Sequence, residues 1–191
     1  MGFFRDAGMM LVQIFFSIVM LLFALRLLLP LTRVRFNNPL CQFIYKTTNP
    51  VIGPLSQLVP AVRRISLAAL LVLWLLALIQ TVLLFLLTGY PVNLAELLLV
   101  GTFATVYFVL GIAFWGILFT AIASFFSPDR RNPAVEVLFG LTEPLLRPFR
   151  NWPPKFEHFD LSALYAMIAL RLVMLALAHL SGVLRVFLPP L

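Results

Sequence analysis

One cysteine, Cys41, and two histidines, His158 and His179, are all the thiol and imidazole metal ligands that this 191-residue chain offers. A single thiol excludes an intramolecular disulfide and a Cys-rich metal site. The histidines are far apart along the chain, and no ligand pair at helical spacing accompanies either, so no metal or haem site is expected. There is no Gly-rich phosphate loop, no His-Glu-x-x-His and no Ser/His/Asp set in a plausible context, so no catalytic, cofactor-binding or metal-binding residue is assigned. Charge is scarce too: only 11% of residues are charged, while 62% are hydrophobic and the mean hydropathy is +1.05. A soluble domain is about 25% charged and about 45–50% apolar. A water-soluble fold of this length could bury a core, but it could not hide this apolar excess on its surface. The excess must face lipid.

What is present divides into four apolar runs. A transmembrane helix needs about 20 mostly apolar residues. Met9–Leu31, Ile65–Thr88, Gly101–Phe126 and Leu161–Leu188 meet that length, and the third run begins earlier, near Asn93. The first run exceeds a signal-peptide core, lacks a small-residue cleavage site and has its basic residues after it, so it is expected to stay attached. Asp6 stands where the myristoylation pattern needs Ser or Thr.

The net charge of +7 would suit nucleic acid in a soluble protein. In a membrane chain it is the mark of loops kept in the cytoplasm. Arg33, Arg35, Lys46, Arg63 and Arg64 lie between the first and second runs; Arg130, Arg131, Arg147, Arg150 and Lys155 lie between the third and fourth. The loop around Gly89 to Asn93 has none, and the ends carry only Arg5 and Arg185. Both basic loops are therefore expected inside and both termini outside, with the bilayer, not nucleic acid, as partner.

The two basic loops repeat each other. A shift of 94 places Asn38-Pro39 on Asn132-Pro133, Thr48 on Thr142, Pro50 on Pro144, Pro54 on Pro148 and Pro60 on Pro154. Leu67, Ala69 and Leu70 then fall on Leu161, Ala163 and Leu164. The chain reads as two tandem units, 1–94 and 95–191. Each has two spans, so both units share one orientation, and a pseudo-twofold along the membrane normal is expected. Asn before Pro is a helix start, since the Asn side chain caps free N–H groups and Pro has none to waste. Leu40, Phe43, Ile44 and Thr47 share one side of the first loop segment, with Gln42 and Lys46 on another. In the second, Ala134, Val137, Leu138 and Leu141 are apolar and Glu136 is polar. Each loop thus predicts a short amphipathic helix lying at the cytoplasmic interface, halted in the first unit by Pro50 and Pro54 and likewise in the second, with a re-entrant loop lining a pathway as the alternative.

The pattern Asn-Pro followed by Thr-Asn-Pro-Val-Ile-Gly-Pro-Leu over Thr48–Leu55, repeated as Thr-Glu-Pro-Leu-Leu-Arg-Pro-Phe over Thr142–Phe149, resembles the YggT (YlmG-like) family of bacterial and plastid membrane proteins. The resemblance covers nearly the whole chain. In that family a further Pro and an Asp open the next span. Pro154 and Asp160 match in the second unit, whereas Ser66 stands at the Asp position of the first, which argues against any mechanism needing two symmetric carboxylates. The resemblance implies a small inner-membrane protein of no established enzyme activity, in a family whose members are linked to osmotic-stress tolerance, to cell division and nucleoid distribution, and in plastids to assembly of a haem-bearing cytochrome.

Inside the spans two polar residues stand out. Arg171 lies ten residues into the fourth run, about 15 Å deep at helical rise, where a charge costs at least about 2.5–3.5 kcal/mol. Gln80 lies about one turn from its 94-shifted counterpart, Ala77, so a twofold would bring both to one midplane layer. Arg26, near the end of its span, can snorkel and needs no special role. Asp160 reads as a helix cap, Asp129-Arg130-Arg131 as a topology-setting turn, and Gly101xxxThr105 and Thr120xxxSer124 as close-packing patterns. Two functions fit: a scaffold or assembly factor that meets membrane-protein partners or further copies of itself through the loops, or a channel, or modulator of one, built on Arg171 and Gln80.

Overall fold

The structure, a computed structural model, describes residues 2–32, 34, 37–89, 91, 93–126, 129, 131–150 and 161–180. Within them the chain is helical, in the order α1 (Gly2–Leu28, continued by a 3-10 turn Leu29–Leu31), α2 (Pro39–Leu58), α3 (Leu67–Thr88), α4 (Leu94–Phe125), α5 (Pro133–Leu146, continued by a 3-10 turn Arg147–Phe149) and α6 (Ser162–Leu180). Four of these, α1 with its turn, α3, α4 and α6, are long and apolar enough to cross a membrane. The helix starts follow local chemistry. The side-chain oxygens of Asn38, Asn93 and Asn132 each accept from the backbone N–H two residues on, and Ser66 Oγ accepts from Ala69 N. Gly89, in the left-handed region at φ 70°, closes α3, a conformation glycine adopts without penalty. The first span begins seven residues before the expected Met9, and α4 starts at the Asn93 cap. Pro154, Lys155, His158 and Asp160, and residues 181–191, lie outside the described residues.

Pro50 and Pro54 do not halt α2, which runs through both to Leu58; Pro144 likewise sits inside α5. Only Pro148 coincides with a change, from α-helix to the 3-10 turn. An interior proline removes one hydrogen bond and costs about 3 kcal/mol, so something must offset it. Pro50 and Pro54 are four residues apart and both lie on the exposed face. The opposite face, Cys41, Ile44, Thr48 and Ile52, is buried at helical spacing and holds the segment against the bundle. The carbonyls that lose their donors thus lie on the exposed side of α2, away from the core.

The spanning helices pack in a row. α1 lies against α3, α3 against α4, and α4 against α6; α2 covers α1 and α3, α5 covers α4 and α6, and α2 meets α5. A pseudo-twofold would pair α1 with α6 as it pairs α3 with α4, and no comparable α1–α6 packing exists among the described residues. The expected twofold is replaced by a head-to-tail arrangement.

Two cores nevertheless share one numbering. The core of the second half contains Ile117, Leu146 and Ala166, flanked by Phe149, Ala163, Met167 and Leu170. Subtracting 94 gives Phe23, Ile52, Val72, Leu55, Ala69, Leu73 and Leu76, each of them part of the core built by α1, α2 and α3. The seam between halves is tight: a Cβ on Gly101 of α4 would run into the Leu78 side chain of α3, and Trp74 Nε1 donates to Thr102 Oγ1 at 3.0 Å.

Candidate functional site

The loop helices α2 and α5 meet at their N-terminal ends, and one carboxamide joins them. Asn38 uses its Oδ1 to cap α2, accepting from Leu40 N at 2.9 Å. Its Nδ2 donates to the Pro133 carbonyl at 3.0 Å and to Glu136 Oε2 at 2.9 Å. Of the residues that cap well, only Asn supplies both an acceptor and two donors on one short side chain. Asn38 is 4% exposed. Its counterpart Asn132 caps α5 through Ala134 N at 3.0 Å but is exposed. The next residue of each pair, Pro39 or Pro133, occupies the first helical turn, where its missing N–H does no harm.

Beneath this joint lies an apolar layer drawn from both halves: Leu29, Cys41, Ile44 and Val137, with Val34, Tyr45 and Leu141 packed against it. Gly140 of α5 belongs here because a Cβ would strike Val34 and meet Thr32. Thr48 and Thr142, 94 apart, are both buried and both return their hydroxyls to the carbonyl four residues back, Ile44 O at 2.7 Å and Leu138 O at 3.0 Å. Thr142 also bonds Thr120 of α4 at 3.0 Å. Position 26, the counterpart of 120, holds arginine. Arg26 does not simply snorkel: its guanidinium lies 3.4 Å from the Tyr45 ring centroid, and its buried Nη1 has no hydrogen-bond partner among the described residues. A cation over an aromatic face is worth about 2 kcal/mol when desolvated. The sequence signal that could have found it is the aromatic residue in the neighbouring amphipathic segment. Burial raises the Tyr45 hydroxyl above its ordinary pKa, against the opposing pull of Arg26. Burial, and then the Glu136 carboxylate, push the Cys41 thiol up as well. Cys41 is 3% exposed, so its labelling by a maleimide should be about tenfold or more slower in the folded protein than after unfolding in detergent. Equal rates would place the thiol outside this joint.

The other residues singled out in the sequence are more dispersed. Pro50, Pro54, Pro60, Pro144 and Pro148 are all exposed. Arg171 is half-buried on α6 with its guanidinium 4.9 Å from the Phe114 ring centroid of α4, within its own half. Gln80 is half-buried on α3, whose packing partners are α1, α2 and α4. His179 is exposed, with Nδ1 3.1 Å from the Leu175 carbonyl. Among the described residues no three His, Cys, Asp or Glu side chains gather where a metal could be held.

A family comparison decides what such a chain is. Residues 6–87 and 99–181 each match the CCB3/YggT family. The chain belongs to that family. Among curated YggT-like relatives, an uncharacterized protein of Pseudomonas aeruginosa is 33% identical over 181 residues, 93% of this chain and 92% of the relative. An uncharacterized protein of Vibrio alginolyticus is 34% identical over 174 residues, 90% and 94% of the two chains. YggT of Escherichia coli K12 is 34% identical over 145 residues, 75% and 74%. None of these relatives carries an enzyme name. No solved structure matches the chain.

Proposed function

We propose that this YggT-family chain is a non-enzymatic scaffold or assembly factor of the bacterial inner membrane, made of two tandem units, 1–94 and 95–191. The observation that carries the reading is the joint at Asn38. It ties the two loop helices into one platform at one end of the bundle, built from both halves and buried at its centre. Around the platform Lys46, Arg63, Arg64, Arg131, Arg147 and Arg150 are exposed. Only Arg150 among them is paired in the described residues by a short contact, 2.6 Å to Glu143. Such a surface would seat the loops against anionic headgroups and offer counter-charge to an acidic segment of a partner. Osmotic-stress response, division and membrane-complex assembly all need a docking surface of this kind. The reading places both basic loops in the cytoplasm and both termini outside, and the distribution of Lys and Arg among the loops supports it.

Two measurements test it. Purified protein in liposomes should raise ion flux no further than empty liposomes do, and Arg171→Leu should change nothing, because its guanidinium packs on Phe114 within one half. The same variant should fold at least as well, since removing a buried ion site is often neutral or stabilising. Flux that Arg171→Leu abolishes would establish the channel reading instead. Reporters near Tyr90 and after Leu191 should read as external, and one beside Lys46 as cytoplasmic; a cytoplasmic C-terminus would invert the platform and sink the reading.

A further inference from the structure

We propose that copies of this chain assemble head to tail in the membrane, with α6 and Asn132 of one copy meeting α1, Pro39 and Gln42 of the next, so that the seam inside the chain is repeated between chains. The inference rests on the row of helices, not on the scaffold reading. In a row of like units, the surface that the first unit offers the second is offered again by the second, and at the ends nothing covers it. This is the geometry of a heterologous interface, which closes into a ring or continues as a filament.

Several positions that are covered at the seam are uncovered at the ends. On α3, Thr81, three residues on from Leu78, is 5% exposed; Leu175, 94 residues on from it, is 56% exposed on α6, and Leu172, the counterpart of Leu78, is 61% exposed. On α4, Thr105 is 5% exposed, whereas its counterpart Leu11 on α1 is 69% exposed. Gly101, which lets Leu78 approach, corresponds to Ala7, the next smallest side chain. Small residues are what allow helices to pack closely in lipid, where apolar burial alone drives nothing.

The loops supply a second, polar half of the same surface. Asn38 reaches across the internal seam to the Pro133 carbonyl and Glu136. Asn132, its counterpart, is exposed, and its Nδ2 makes no hydrogen bond among the described residues. The positions it would reach in a following copy are Pro39 and Gln42, both exposed. Gln42 keeps the side-chain carbonyl needed to accept, in the place where the second unit has Glu136. Lipid tails could cover the apolar stripes, and headgroups or water could bond Asn132, but only as separate contacts. A second copy offers both.

The test uses full-length chains carrying Cys41→Ala, with either Ala7→Cys or Leu172→Cys, reconstituted separately and mixed in liposomes. Under a membrane-permeant oxidant the mixture should form disulfide-linked dimers while each variant alone stays monomeric. A chain bearing both cysteines should give a ladder of multimers. Dimers from either variant alone at the mixture's level would overturn the proposal in favour of a symmetric dimer. Monomers throughout would overturn it in favour of lipid. Because cysteine variants can fail to fold, the unmodified protein is measured too, by native mass spectrometry from mild detergent. It should exceed one chain, and Gln42→Lys, a surface change that replaces the acceptor with a donor, should weaken association about tenfold. A strictly monomeric native protein would overturn the proposal without any variant.

Discussion

Asn38→Asp should lower the stability of the folded chain by about 3 kcal/mol, while Asn132→Asp should leave it within about 0.5 kcal/mol. Asp caps a helix as well as Asn does, so neither change removes the acceptor that Leu40 N or Ala134 N needs. What Asp lacks is a donor. At position 38, where the side chain is 4% exposed, the change forfeits a bond to the Pro133 carbonyl and another to the Glu136 carboxylate, and it sets a second carboxylate against Glu136. At position 132 the side chain is exposed and, within the chain, makes no bond beyond its cap. The deficit should also shrink as the pH falls. Repulsion from Glu136 raises the new carboxyl's pKa in the folded state above its unfolded value, so the folded state binds the proton more tightly and gains stability as pH drops through that raised value. Equilibrium unfolding in detergent at two pH values reads both effects. Equal losses at the two positions would mean that Asn38 serves only its own helix.

Gly101→Val should separate α3 from α4. The first atom added at position 101 meets the end of the Leu78 side chain and lies 3.1 Å from its Cγ, so the leucine must give way, and the two further methyls of valine add to the crowding. Overpacking of this kind costs about 1–3 kcal/mol, and here it acts on the contact that joins the two halves. Gly111→Val on the same helix is the control, because no atom lies within 4 Å of the added Cβ. Leu78→Ala should restore most of the loss when combined with Gly101→Val and should be harmful alone, a coupling that a double-mutant cycle isolates. Independent effects at 78 and 101 would show that the seam is not packed as described.

Much of this architecture is legible in the sequence, and the parts that are not have physical reasons. Long apolar runs mark the spans, and Asn-Pro marks the starts of α2 and α5, because both signals are local. The passage of α2 through Pro50 and Pro54 is not local: it depends on Ile52 and Thr48 being held from the other side. Neighbour choice is hidden for a different reason. In lipid every face of a spanning helix is apolar, so α4 shows little periodicity that could say whether α1, α3 or α6 covers it. That is why Arg171 and Gln80 suggest a shared layer, while the packing gives Arg171 the Phe114 ring on α4. Asn38 and Asn132 are indistinguishable by motif, and only the tertiary arrangement makes one a rivet and the other a free surface.

The row of spans also bears on how the protein is made. Spatial order and chain order coincide, α1 then α3 then α4 then α6. Each helix leaving the ribosome finds its main neighbour already in the bilayer, and no span has to be inserted between two that have already joined. When α3 is complete, nearly all of the first core is present, since Phe108, Val109 and Ile112 only flank it. The nascent chain can therefore settle one half before the other exists, with few distant contacts to wait for. What must wait is the Asn38 bond, whose partners Pro133 and Glu136 emerge about a hundred residues later. Synthesis would thus hold the loop platform back until α5 emerges, and a chain cut short before α5 would carry a settled first half with nothing to present.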